Sequence, residues 1–205
     1  MLIPLHHLPI SKSIKGIIHI GAHECEERDA YMQIYGIGDD KTIWVDALEN
    51  KVNQMKTSLP NVKIFNECVS DKDGDEVSFM ITSNYQSSSM LNFKTHAAEH
   101  PHVTEIGRVI IHTKTLNTIF AEQNLNPLDY NFMNLDIQGA ELMALKGYES
   151  NLHSVDYIYM EVNEKELYEG CPLIPEVDEY LGRHGFKRIM TKMTQYGWGD
   201  AFYGR

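Results

Sequence analysis

The chain has 205 residues, 42% of them hydrophobic and 23% charged, and a formal net charge of −11. That length suits one domain with a substantial core rather than two, and no stretch approaches the roughly 18 consecutive apolar residues of a membrane helix. The acidic balance argues against a nucleic-acid partner, because non-specific affinity for a phosphate backbone comes from Lys and Arg, and here they form no cluster.

The opening stretch, "MLIPLHHLPISKSIKG", carries prolines and histidines where a signal peptide would have its apolar centre, so a cytoplasmic location is expected, with residues 1–15 as an N-terminal extension. From there, short β-branched runs alternate with helical patterns, the mark of a parallel sheet. "GIIHI" (16–20) is the first strand, followed by a helix expected from about Glu24 to Tyr35 and closed by Gly36 and Gly38. "KTIWVDA" (41–47) is the second, and a polar helix then ends near "SLPN". "VKIFNECV" (62–69) reads as a third strand, and "SDKDGDE" as a turn by its Asp and Gly content. "VSFMIT" (77–82) and "RVIIHTKTL" (108–116) read as further strands, the second leading into a helix near "NTIFAEQN". The polar segment between them, residues 83–102, is long for a connection and is expected to hold substrate specificity.

"YNFMNLDI" (130–137) and "VDYIYMEVN" (155–163) are strongly apolar strands, each followed by a helix, "GAELMALKGYESNL" and "PEVDEYLGRHG". The tail, "FKRIMTKMTQYGWGDAFYGR", reads as two strands around a Gly-Trp-Gly turn. With no helix between them they form an antiparallel pair. The expectation is one doubly wound, Rossmann-like α/β domain spanning 1–205, with a mostly parallel central sheet and a C-terminal antiparallel hairpin. Cys25, Cys68 and Cys171 are scattered and odd in number, so neither a disulfide framework nor a zinc knuckle is expected.

In open α/β sheets ligands lie beyond the carboxyl ends of the strands. Four of five such ends carry a carboxylate: Asp46, Asp71, Asp136 and Glu161. Asp46 lies 25 residues beyond Gly21, near the offset of a ribose-binding acid; the other reading is a cap on the next helix. In "GAHECEE", Gly21 permits a tight turn and Ala22 a close backbone approach, while Glu24, Glu26 and Glu27 repel pyrophosphate. A nucleoside with a cationic far end, such as S-adenosylmethionine, suits that turn better than NAD; alternatively the acids complement a helix dipole. Asp136 either meets this ligand or caps the following helix, and Glu141 is either a ligand contact or a first-turn helix acid. Asp136 or Glu161 is the expected general base, with Asn163 or the hydroxyls of Ser87, Ser88 and Ser89 orienting a polar acceptor. His96 stands near His100 and His102; with no third ligand at convincing spacing no metal is assigned, and His96 is kept as a substrate contact. Trp198 reads as a core or hairpin aromatic rather than a ligand-stacking platform.

The strings "IHIGAHECEE", "WVDA", "VSDKDG", "QSSSM", "NLDIQGAELMALKG", "YMEVN" and "GWGDAFY", in this order from about Ile17 to Tyr203, resemble the FkbM family of methyltransferases. The resemblance implies a class I methyltransferase using S-adenosylmethionine, most often on a hydroxyl of a sugar or natural product. It places Gly21, Ala22 and His23 at the methionine part, Asp46 at the ribose, Val69, Ser70 and Asp71 around the adenine, and Asp136 beside the transferred methyl. The family's first motif often begins with Asp where this chain has His19, so Glu24, Glu26 or Asp136 would face the ammonium instead. Two rival readings are an NAD-dependent or nucleotide-sugar oxidoreductase and a Rossmann-like binding module without activity. The oligomeric state is not legible.

Overall fold

The computed structural model describes residues 2–205. The first half runs β1 (Ile17–Ile20), α1 (Arg28–Tyr35), β2 (Thr42–Asp46), α2 (Glu49–Ser58), β3 (Lys63–Asn66), β4 (Cys68–Val69), β5 (Glu76–Thr82) and α3 (His96–Glu99). The second half runs β6 (Glu105–Lys114), α4 (Leu116–Glu122), β7 (Phe132–Leu135), α5 (Glu141–Lys146), β8 (Tyr157–Asn163), α6 (Ile174–Arg183), β9 (Lys187–Met193) and β10 (Trp198–Gly204). Seven strands form one sheet in the order β3-β2-β1-β7-β8-β10-β9. The first five are parallel, and β10 runs antiparallel to both β8 and β9. This is the expected Rossmann-like α/β architecture, a mostly parallel sheet with a C-terminal antiparallel hairpin. None of the described helices is long and apolar enough to cross a membrane.

Strand alternation divides the sheet into two buried faces. One carries Ile18, Ile20, Met133, Leu135, Ile158 and Met160, and packs with residues of α4, α5 and α6. On the other, a register row runs Trp44–His19–Asn134–Tyr159–Phe202, covered by Tyr31 of α1, by α2 and by Ile3, Leu5 and Leu8 of the N-terminal segment. The polar centre of that row is satisfied internally, as buried polar groups must be. His19 Nδ1 shares a 2.9 Å hydrogen bond with the Tyr31 hydroxyl, and Asn134 Nδ2 donates to the same oxygen at 2.7 Å.

The chain departs in opposite directions from β1 and β7, so the crevice opens at their carboxyl ends. Gly21 makes this junction possible. Its φ is +89°, and a Cβ there would stand 1.8 Å from the carbonyl oxygen of Asp136. No other residue fits so close an approach.

Three expected elements differ. The run 62–69 is two strands in two sheets: β3 ends the large sheet, while β4 joins β6 and β5 in a smaller one. The switch falls at Glu67, whose carboxylate is held by Lys114 of β6 at 2.8 Å. The first helix begins at Arg28 rather than Glu24, because His23 and Cys25 take left-handed backbone angles (φ 41° and 55°) that a helix cannot contain. The segment 83–102 is not one free-standing loop: Ser89 bridges Met80, Phe93 bridges Tyr168, and α3 closes it. The hairpin lies at the sheet edge as expected, and the three cysteines are buried free thiols.

Candidate active site

Two cavities share the crevice. The first is a narrow slot with about 60 Å³ of free space. Leu48, Cys68, Val69, Phe79, Met90 and Ile137 make it a mainly apolar slot beyond the end of β2. Asp46 stands at its polar end, with Oδ2 accepting from His23 N and Oδ1 from Leu48 N, both at 2.8 Å. These bonds orient the carboxylate and leave it further lone pairs. Burial pushes the Asp46 carboxyl upward. No lysine or arginine lines the slot among the described residues, so a pyrophosphate would find no cation there.

The second cavity is larger, about 420 Å³, within the roughly 300–1,000 Å³ range of small-molecule pockets, and polar. Glu26, Glu27, Asp136 and Glu161 supply its acids, and His96, His100, His102 and Trp198 line it as well. Gly21, His23, Gln86 and Asp136 line both cavities, so the two spaces meet at the carboxyl ends of β1 and β7.

The glutamates after β1 have separate partners. Glu24 takes Lys51 Nζ at 2.6 Å, and that hydrogen bond lowers its carboxyl's proton affinity. Burial alone would raise Glu26, but His23 Nδ1 at 2.7 Å helps hold it down to about 2. Glu27 is raised by burial and lies 3.8 Å from His19 Nδ1. Burial also lowers His19 to about 4, which keeps its ring neutral, and its ring stacks on Trp44 at 4.6 Å. Asp136 is thus the acid set where the cavities join.

Beyond the last paired residues of β7 and β8, Asp136 and Glu161 stand side by side, and Asp200 of β10 is registered opposite Glu161. Asp200 is capped by the backbone of Leu2 and Ile3 and by the Tyr159 hydroxyl. Burial raises Glu161; Asp136 is exposed toward the cavity, and desolvation by the surrounding protein raises it too. Glu141 folds inward, accepting from Ile137 N at 3.0 Å and Gly139 N at 3.2 Å, and burial pushes it up to about 7. It braces the turn and lines neither cavity.

The remaining expected residues divide. Val69 lines the apolar slot; Ser70 and Asp71 do not, because Ser70 packs its carbonyl onto Gly147 and Asp71 is exposed. Ala22 is buried behind the turn, its N–H donating to Val45 O. Ser88 belongs to the apolar slot rather than the polar cavity, its hydroxyl accepting from Thr82 N at 3.1 Å. Ser89 lines neither and donates to Gln138 O at 2.8 Å. Ser87 is the serine that reaches the polar cavity. His96 lines that cavity too, and its buried Nδ1 has no hydrogen-bond partner among the described residues. Asn163, two residues past Glu161, is buried outside both linings.

Sequence reasoning passed over Phe79 of β5 and Tyr85 and Met90 of the segment after it, which line the slot, and it read Trp198, which lines the polar cavity, as a core or hairpin aromatic rather than a ligand-stacking platform. It also passed over Gln138, whose place between Asp136 and Gly139 was the one available signal.

Residues 19–188 match the methyltransferase FkbM domain. Over 119 residues the chain is 29% identical to the 2-O-methyltransferase NoeI of Sinorhizobium fredii, an alignment covering 55% of this chain and 48% of that protein. The chain therefore spans about half the length of this curated relative. The crystal structure of the methyltransferase FkbM from Methylobacillus flagellatus superposes with a TM-score of 0.58 at 10% identity, covering 97% of this chain and 45% of that one. The magnesium protoporphyrin IX methyltransferase of Synechocystis superposes with a TM-score of 0.48 at 10% identity, over 93% of this chain and 69% of that one. With the family's domain matched across most of its length, this chain belongs to the FkbM methyltransferases.

Proposed function

We propose that residues 1–205 act as one methyltransferase unit that moves a methyl group from S-adenosylmethionine to a hydroxyl of a sugar, glycan or other small polar molecule. The observation that carries this reading is the meeting of an apolar, cation-free slot with a polar, acid-lined cavity at Gly21, His23 and Asp136. A nucleobase would lie against Leu48, Phe79, Met90 and Ile137. Asp46 would accept the ribose hydroxyls, and Asp136 would face the cationic end. The NoeI relative is named a 2-O-methyltransferase, which supports oxygen as the acceptor atom.

The bound cofactor supplies an electrophilic methyl carbon on a sulfonium. The chain's own residues align an acceptor in the polar cavity and exclude water, so positioning contributes much of the rate. Asp136 or Glu161 takes the hydroxyl proton as the oxygen gains its methyl group, and Glu26, His96 and Ser87 offer polar contacts to the acceptor. An NAD-dependent oxidoreductase is not favoured, because Glu24, Glu26 and Glu27 crowd the turn after β1 where a pyrophosphate would need bare backbone N–H groups, and the family match is to methyltransferases.

Calorimetric titration tests the cofactor class. S-adenosylhomocysteine should bind with micromolar affinity and NADH should not, while Asp46→Ala should weaken the first at least about tenfold, some 1.4 kcal/mol. Binding of NADH in its place would overturn the assignment, and binding of neither would favour a domain without activity.

A further inference from the structure

We infer that the polar cavity takes a sugar ring that carries no anionic group, with Trp198 as the platform under the ring and His96 as the partner of one of its hydroxyls. The inference rests on the methyltransferase reading for the reaction and on separate geometry for the acceptor. Trp198 opens β10 and lines the cavity, and its side chain packs against the cluster of Met80, Leu167, Tyr168 and Cys171. Its backbone is pinned, the carbonyl accepting from Thr194 N and Thr194 Oγ1, both at 2.8 Å. The flat side of a pyranose is rich in C–H groups, and its hydroxyls project from the rim. A ring laid on the indole therefore covers an apolar surface and turns its hydroxyls toward the polar lining.

His96 is the second, independent observation. It is 5% exposed and lines the same cavity, yet neither ring nitrogen has a hydrogen-bond partner among the described residues. Nδ1 is enclosed by protein, which leaves Nε2 as the nitrogen that can meet an acceptor. The ring is held parallel to that of Phe93 at 4.2 Å, and the His96 backbone N–H donates to Leu167 O at 3.2 Å. Burial lowers the imidazole to about 4, so near neutral pH it carries one N–H donor and one acceptor nitrogen and no charge. A hydroxyl answers either nitrogen because it both donates and accepts, whereas a carboxylate or phosphate only accepts.

Charge narrows the class further. Glu26, Glu27, Asp136 and Glu161 line the cavity, and among the described residues no lysine or arginine does. Lys51 and Lys165 are paired with Glu24 and Glu99 and lie outside the lining. The bases in the lining are imidazoles, of which His23 is already paired with Glu26 at 2.7 Å. The amino terminus acts electrostatically on Glu27 and Asp136, one positive charge against four carboxyl groups. A phosphate, sulfate or carboxylate on the ring would lose its hydration here without gaining a lysine or arginine, and would meet like charge. Hydroxyls, or a ring ammonium, find acceptors instead. Uncharged sugars and amino sugars thus suit the cavity, and sugar phosphates, uronic acids and nucleotide-linked sugars do not.

The test is saturation-transfer NMR of the full chain with the methyl glycosides of glucose and galactose, galactosamine and galacturonic acid, first alone and then with S-adenosylhomocysteine. Ring C–H protons of the neutral and amino sugars should receive saturation, and galacturonic acid should bind at least about tenfold more weakly. Trp198→Leu keeps an apolar side chain on the cluster but removes the platform. His96→Phe keeps the stack on Phe93 but removes both nitrogens. Each should weaken glycoside binding by roughly five- to tenfold, while S-adenosylhomocysteine affinity by calorimetry stays unchanged. Galacturonic acid binding as tightly as the glycosides would overturn the proposal, and so would saturation of none of the probes. Unchanged glycoside binding in the folded variants would do the same, and the wild-type comparison of probes decides the matter even where a variant does not fold. Since the probes are first read without cofactor, failure of the cofactor assignment would appear in the calorimetry alone.

Discussion

Glu141 is 1% exposed, and its carboxyl is pushed up to about 7 from an ordinary value of 4.5, chiefly by burial. A carboxyl whose folded pKa exceeds its unfolded one stabilises the fold fully below the unfolded value. That contribution is lost as pH rises through the folded value. The shift corresponds to at most about 3 kcal/mol lost between about pH 4.5 and pH 8. Glutamine keeps an oxygen for the N–H groups of Ile137 and Gly139 and removes the buried charge. Glu141→Gln should therefore be more stable than wild type at pH 8, and the two should converge below pH 5. Urea unfolding at both pH values decides it; a variant less stable at pH 8 would show that the ionised form is what the turn needs. At this scale the sequence was only partly legible. Asp46, Asp136 and Glu161 were identifiable as strand-end acids, because position along a strand is a local property. The directions of Glu141, Ser88 and Ser89 were not, since each side chain is claimed by a backbone group that only the folded turn brings near.

Among the elements, the small sheet and the segment after β5 decide what covers the apolar slot. Tyr85, at φ 60°, lines the slot, and Lys51 stands 5.0 Å from its ring centre while pairing with Glu24. One lysine thus links the covering segment to the turn after β1, and cation–π contacts of this kind contribute about 0.5–2 kcal/mol. Tyr85→Ala should weaken S-adenosylhomocysteine binding by roughly tenfold, and binding should slow amide exchange across residues 85–90 in the wild type. Unchanged affinity together with unchanged exchange would place the ligand elsewhere. The alternating strands and helices were readable because apolar period and Gly or Pro punctuation are local signals. The division of 62–69 was not, because one apolar run serves two sheets and the switch depends on Lys114, which is 47 residues from Glu67. Nor was the division of 83–102, whose early part covers the slot and whose α3 end lines the polar cavity.

The whole molecule is closed on one sheet face by its N-terminal segment, and that segment is tied down by the strands behind the site. Tyr157's hydroxyl serves Ser11 N and Lys12 N, each at 2.9 Å, and Asn131 accepts from Lys15 N at 2.7 Å. Tyr35 donates to Leu5 O at 2.8 Å, and Tyr159 donates to Ile3 O at 3.0 Å while also capping Asp200. Asp200 is registered opposite Glu161, so the anchoring of residues 2 and 3 and the acid row at the crevice share one carboxylate. Ile3, Leu5 and Leu8 are buried against the same face as Tyr31 and Phe202. Leu5→Ala removes apolar burial at the middle of this strap and should cost about 2–3 kcal/mol, toward the low end for core leucines because a strap can collapse onto the gap. If strap and sheet unfold as one unit, that loss should appear in full in global denaturant unfolding. Exchange at the Ile3 amide should then rise no more than exchange in β8. A global change under about 0.5 kcal/mol, with exchange accelerated only at Ile3, would instead make the strap a separately opening segment. Its release would then take two backbone donors from Asp200 and leave the Tyr159 hydroxyl as its remaining partner in the acid row with Glu161.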